Sequence, residues 1–128
     1  MGVRRLNDLI AYQLAISLHR WVLDFSTRPN VARNRKFCEQ LTDASGGICR
    51  NVAEGFARWT RRDFHNFLRV ARASHVETEM LLDDAVLRGY LTSAERREVG
   101  PLLGRCGKAI AALMRSLRDA ENGPARRV

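Results

Sequence analysis

Between Arg35 and Phe56 the apolar residues Phe37, Leu41, Ala44, Ile48, Val52 and Phe56 recur at three- and four-residue steps. Only an α-helix gathers that spacing onto one face. No stretch of the chain alternates with period two, so a helix with one oily side has only other helices to cover it. The expected fold class is therefore all-α.

Three further segments carry the same signal. Asp8 to Ser26 is predicted helical, with Leu9, Ile16 and Leu23 at heptad spacing and Ile10, Leu14, Trp21 and Phe25 widening the stripe; Pro29 and Asn30 then turn the chain. A helix from Thr60 to Arg88 starts with Thr60 as cap for the Asp63 amide and carries Phe64, Phe67, Leu68, Ala71, Ser74, Leu81, Leu82 and Ala85 inward before Gly89 ends it. Thr92 and Glu95 form a capping box for a last helix, in which Leu102, Leu103, Cys106, Ile110, Leu113, Met114 and Leu117 face the core. Pro101, between Gly100 and Gly104, invites a break there. Gly46 and Gly47 lie inside the 35–56 helix, where glycine costs about 1 kcal/mol each; a close helix approach or a kink would explain them. Gly55 falls where a left-handed C-terminal cap is wanted. With short connections, the expected architecture is an up-down-up-down four-helix bundle, one domain over 1–120, followed by a flexible basic tail at 121–128.

Charge narrows the function. The formal net charge is +8, carried almost wholly by arginine, since Lys36 and Lys108 are the only lysines. Such a balance favours a polyanion. No stretch approaches the roughly 20 apolar residues needed to span a bilayer, and no apolar leader is evident, so a cytoplasmic location without membrane contact is expected. Cys38 and Cys49 would lie about 16 Å apart on one helix, too far for a disulfide, and with Cys106 are expected to be free buried thiols. His19, His65 and His75 lack metal-ligand spacing. There is no phosphate-cradling glycine loop and no nucleophile beside a base in the sequence, so no cofactor, metal, small-molecule substrate or catalytic residue is expected.

On the 60–88 helix, Arg61, Arg62, His65, Arg69 and Arg72 share an arc of about 100° nearly opposite the apolar stripe. With Arg58 and Trp59 at the preceding joint they form a basic strip able to follow a phosphate backbone, with Trp59 placed to stack on a base. The same residues would also serve as an ordinary solvated face. Glu54 is flanked by Arg50 and Arg58 at four residues on either side, a pair of surface ion bridges. Glu77, Glu79, Asp83 and Asp84 reverse the sign of the helix's C-terminal half, suited to a neighbouring subunit's arginines or to solvation.

The pattern Gln40, Ile48, Asn51-Val52-Ala53-Glu54-Gly55, Phe64, Phe67-Leu68, Ala71, Ser74 and Glu77 resembles the bacterial four-helix-bundle family first noted as reading frames inside intervening sequences of the 23S ribosomal RNA gene. Gly47 stands where that family usually has serine and Ala73 where it usually has glycine. The resemblance covers about residues 6 to 117. It implies a bundle assembled as a cyclic homopentamer without a catalytic centre. It also implies kinship with accessory proteins of diversity-generating retroelements, which bind RNA or DNA and a reverse transcriptase. The expected function is a non-enzymatic, oligomeric nucleic-acid-binding bundle serving a reverse transcriptase. The alternative is a protein-interaction adaptor of the same family with no direct nucleic-acid role.

Overall fold

The structure, a computed structural model, describes residues 3–120. They form a 3-10 turn at Leu6–Asp8 and five helices, α1 (Ile10–Phe25), α2 (Pro29–Ala32), α3 (Arg35–Phe56), α4 (Arg61–Leu87) and α5 (Ser93–Ala120), with no strand among the described residues. The tail expected at 121–128 lies outside them. The four long helices pack in the cyclic order α1, α3, α4, α5 and back to α1. Contacts across three of the four seams run in opposite chain directions: Ser26 meets Cys38 while His19 meets Ser45, Gly55 meets Phe64 while Gly47 meets Ser74, and His75 meets Leu103 while Asp83 meets Arg96. Neighbours are thus antiparallel, as the short connections require.

The helix ends follow their caps. Asn34 accepts from the Phe37 amide to start α3, Thr60 Oγ1 accepts from the Asp63 amide to start α4, and Thr92 and Glu95 exchange both bonds of a capping box before α5. Gly89, at φ 78°, closes α4 in the left-handed region that glycine enters without a Cβ penalty. Pro29, expected only to turn the chain, instead occupies the first turn of the short α2, where its missing N–H costs nothing.

Three expectations are corrected. First, α1 buries Ala11, Ala15, Leu18, Val22 and Phe25, whereas Leu23 is 46% and Ile10 61% exposed. The helix is apolar around most of its girth, so periodicity alone could not select a face. The bundle chose the one where two alanines permit a close approach. Leu18 and Val22, outside the predicted stripe, are fully buried within the single chain. Second, Gly55 is not a left-handed cap: α3 continues through it, and a Cβ there would lie 2.7 Å from Phe64 Cδ1 and 2.8 Å from Phe67 Cβ. Third, α5 runs unbroken through Pro101. Its register is held from α4, where His75 Nε2 donates to the Leu103 carbonyl at 2.7 Å; a carbonyl can only accept, which assigns the proton to Nε2. Gly107 leaves room for that imidazole.

Gly46 and Gly47 report close approach, not a kink. A Cβ on Gly46 would stand 3.2 Å from His19 Cε1 of α1, and one on Gly47 3.0 Å from Ser74 Oγ of α4, so both flanks of α3 are in tight contact. All three cysteines are free, with Cys38 only half buried. Burial pushes the thiols of Cys49 and Cys106 up to about 11 and about 12.

Two outcomes follow for stability. Gly55→Ala should lose roughly 1–3 kcal/mol, the cost of overpacking a filled seam. Gly104→Ala, with open space around it, should gain up to about 1 kcal/mol; denaturant melts of both variants separate the two roles. His19 sits 2.7 Å from Ser45 Oγ, and burial, then the Arg50 charge, hold its pKa below the usual 6.5. Below pH 6.5 the unfolded chain therefore binds a proton that the folded chain refuses. Stability should be full above that pH and decline as pH falls towards the folded value, a decline that His19→Gln should reduce in thermal melts taken across pH.

Candidate nucleic-acid interface

The Phe64, Leu68, Ala71, Thr78, Leu82 and Ala85 side of α4 is sealed in the bundle, which turns the arginine arc outward. Arg62, Arg69 and Arg72 are exposed, while Arg61 and His65 are half buried. Trp59 is 89% exposed. Arg58 differs from the rest. Its guanidinium lies 4.8 Å over the Phe67 ring and 3.6 Å from Glu54 Oε2, so it is tied to the α3–α4 seam. Arg61 and Arg62 occupy the first two positions of α4, where the helix dipole disfavours cations, and Asp63 is the acid of that turn. Stability alone does not favour this placement.

The structure adds to this strip what sequence reasoning left out. Across the α4–α5 seam, Lys108, Arg115 and Arg118 face Arg69 and Arg72, and the two rows border a surface groove formed by two contiguous depressions of about 550 and 370 Å³. Ala73, Val76, Ala111 and Met114 also line the groove. His65 is among the lining residues; its Nε2 is covered and has no hydrogen-bond partner among the described residues. A signal for the second row was present: Lys108 and Arg115, and likewise Ala111 and Arg118, are seven residues apart and so share one side of a helix. Which neighbour that side would meet was not legible.

The charges at the two ends of α4 are treated differently. Apart from Glu77, which makes no ion pair among the described residues, its acidic half is paired within the chain: Arg96 reaches Asp83 at 2.7 Å and Glu79 at 3.9 Å, and Arg88 reaches Asp84 at 2.7 Å. These acids therefore have partners that neither a neighbouring subunit nor solvent needs to supply. Among the described residues no ion pair engages Arg62, Arg69, Arg72, Lys108, Arg115 or Arg118. The result is a groove whose positive charge no ion pair among the described residues neutralises.

The motif residues of α3 and α4 serve the seam more than the groove. Asn51 Nδ2 donates to the Gly47 carbonyl at 2.8 Å, and Ser74 stands against Gly47. Glu54 pairs with Arg58, but the bridge expected from Arg50 goes to Asp43 at 3.2 Å instead. Gln40 lines a separate depression between α1 and α3, and Glu77 is exposed. A hydroxyl–imidazole contact, invisible in the sequence, joins Ser45 and His19. Ser45 is fully buried, so no substrate reaches that hydroxyl.

Fold and site together define an antiparallel helical bundle with a cationic surface groove. The chain belongs to the family described as 23S rRNA-intervening sequence protein, which matches residues 7–112. It is similar in structure to a protein of unknown function from the S23 ribosomal protein family of Bacteroides thetaiotaomicron, with a TM-score of 0.74 at 18% identity. That match covers 82% of this chain and 98% of the other, a likeness of fold. No curated protein sequence matches the chain.

The arginines should separate in a stability assay. Arg58→Ala, which loses a ring contact and an ion pair, should cost about 0.5–1 kcal/mol. Arg69→Ala and Arg115→Ala should stay within about 0.5 kcal/mol of the parent. Urea titration distinguishes a seam residue from cations with no structural duty; equal losses at all three positions would refute the division.

Proposed function

We propose that the protein is a non-enzymatic nucleic-acid-binding bundle that acts as a homo-oligomer, with the α4 and α5 cations holding the phosphate backbone. The observation that carries this is the gathering of cations without an acid partner on one groove, with no acid in its lining, while Arg28, Arg50, Arg58, Arg88 and Arg96 are matched to acids. Ion pairing elsewhere supports a role for charge at the groove beyond solubility, and cations at the start of α4 support it further, because they oppose the helix dipole. Membership of a family described by the 23S rRNA intervening sequence fits a nucleic-acid setting.

The finer reading, from the resemblance, is a ring of five copies serving as accessory to the reverse transcriptase of a diversity-generating retroelement. Repeated grooves in such a ring would add avidity without new contacts. A second reading, an adaptor that docks an acidic protein such as a polymerase, is supported by one observation. Val70, Val76, Met80 and Leu87 are exposed apolar residues along α4, more than 50% accessible each, and apolar patches of this kind suit protein partners. Among the described residues no helix is long and apolar enough to cross a membrane.

The test is a binding titration of the full chain against short RNA and DNA, with mass measured in the same buffer. Affinity should fall steeply between about 50 and 200 mM salt, as counterion release demands, and Arg62→Glu with Arg69→Glu should weaken binding about 100-fold or more. Binding indifferent to salt and to both reversals would overturn the proposal. A monomer by light scattering at micromolar concentration would overturn the assembly. Capture of a polymerase lost in the same variants, without measurable binding of free nucleic acid, would select the adaptor.

A further inference from the structure

We infer that the α4–α5 groove takes a single strand of nucleic acid, with phosphates along its cationic edges and bases turned onto its apolar lining. This rests on the nucleic-acid reading above and specifies its ligand. The edges are Arg69 and Arg72 on one side and Lys108, Arg115 and Arg118 on the other. From Lys108 to Arg118 the α5 edge runs about 15 Å, a track for a few nucleotides. Val76, Ala73 and Met114 line the same depressions, and no acid lines either one.

That lining discriminates between ligands. A duplex offers its outer surface as two lines of phosphate and sugar, so it would press charged backbone onto the exposed Val76 and leave the opposing edge unused. A single strand has free base faces, which Val76 can cover while the backbone stays with the arginines. Val76 is 57% exposed although it lies beside a buried helix face, so a base can reach it without displacing the core. Trp59, 89% exposed at the joint that begins α4, stands at the same end of the bundle as Arg62 and offers a further stacking surface.

The experiment measures fluorescence anisotropy of the full chain with labelled strands of about 12 nucleotides, a length within single-strand site sizes. The probes are oligo(U), oligo(dT), the duplex of oligo(dT) with oligo(dA), and an abasic DNA strand of equal length. At least one of the two homopolymer strands should bind about 10-fold more tightly than both the duplex and the abasic strand, the size expected for one lost base contact. Which strand does so tells RNA from DNA. Val76→Ser, at an exposed position, should weaken that strand by about 3-fold or more and leave the abasic strand unchanged. If duplex and abasic strand bind as well as the homopolymers, and all are lost in Arg115→Glu, the groove reads phosphate alone. The single-strand inference then fails while the nucleic-acid proposal stands. No binding of any probe at low salt would overturn both.

Discussion

The close approach of α3 and α4 is the contact on which the remaining geometry depends. Gly47 and Gly55 are two turns apart on one side of α3, and each admits atoms from α4 that a side chain would exclude: Ser74 at one, Phe64 and Phe67 at the other. Two such contacts define the rotation of α4 about its own axis as well as its distance from α3. Once Ser74 faces α3, Arg62 and Arg69 lie about 120–140° around the helix and have nowhere to point but outward. A basic face on α4 is thus a consequence of where two glycines sit on its neighbour.

Electrostatics then divides the bundle. Arg28 with Glu95, Arg88 with Asp84 and Arg96 with Asp83 and Glu79 tie charged side chains together at the end where α4 finishes and α5 begins. Exposed pairs of this kind contribute little each, so their value lies less in stability than in the field they cancel. At the other end nothing comparable offsets Arg69, Arg72, Lys108, Arg115 and Arg118. No acid lines the groove, and an uncancelled field over it concentrates polyanions.

The parts of the fold legible in the sequence were those governed by local chemistry. The spans of α3 and α4 follow from strict apolar spacing bounded by caps, and the Thr92–Glu95 box appears bond for bond. What failed was governed by tertiary packing. The buried face of α1 could not be chosen because apolar residues surround most of it. Gly55 reads as a cap in the sequence because its steric role is set by Phe64 and Phe67, residues in the next helix. For Pro101 the local rule predicted a break, and α5 persists because its buried Val99, Leu103, Cys106 and Ile110 are held against the core. The arginine arc of α4 was legible because it lies on one helix. Its complement on α5 was not, since pairing two faces requires knowing their register.

That register has an identifiable source. The groove exists only if α5 is seated so that Arg115 and Arg118 come level with Arg69 and Arg72, and a slide of one helical turn, about 5.4 Å, would offset the two rows. The contact that opposes such a slide is the bond from His75 to the Leu103 carbonyl, with the imidazole filling the space that Gly107 leaves open. Both residues lie between the paired end of the bundle and the unpaired one. His75 thus carries no ligand in this account, yet it is the side chain through which the placement of α5 against α4 becomes the width and alignment of the cationic groove.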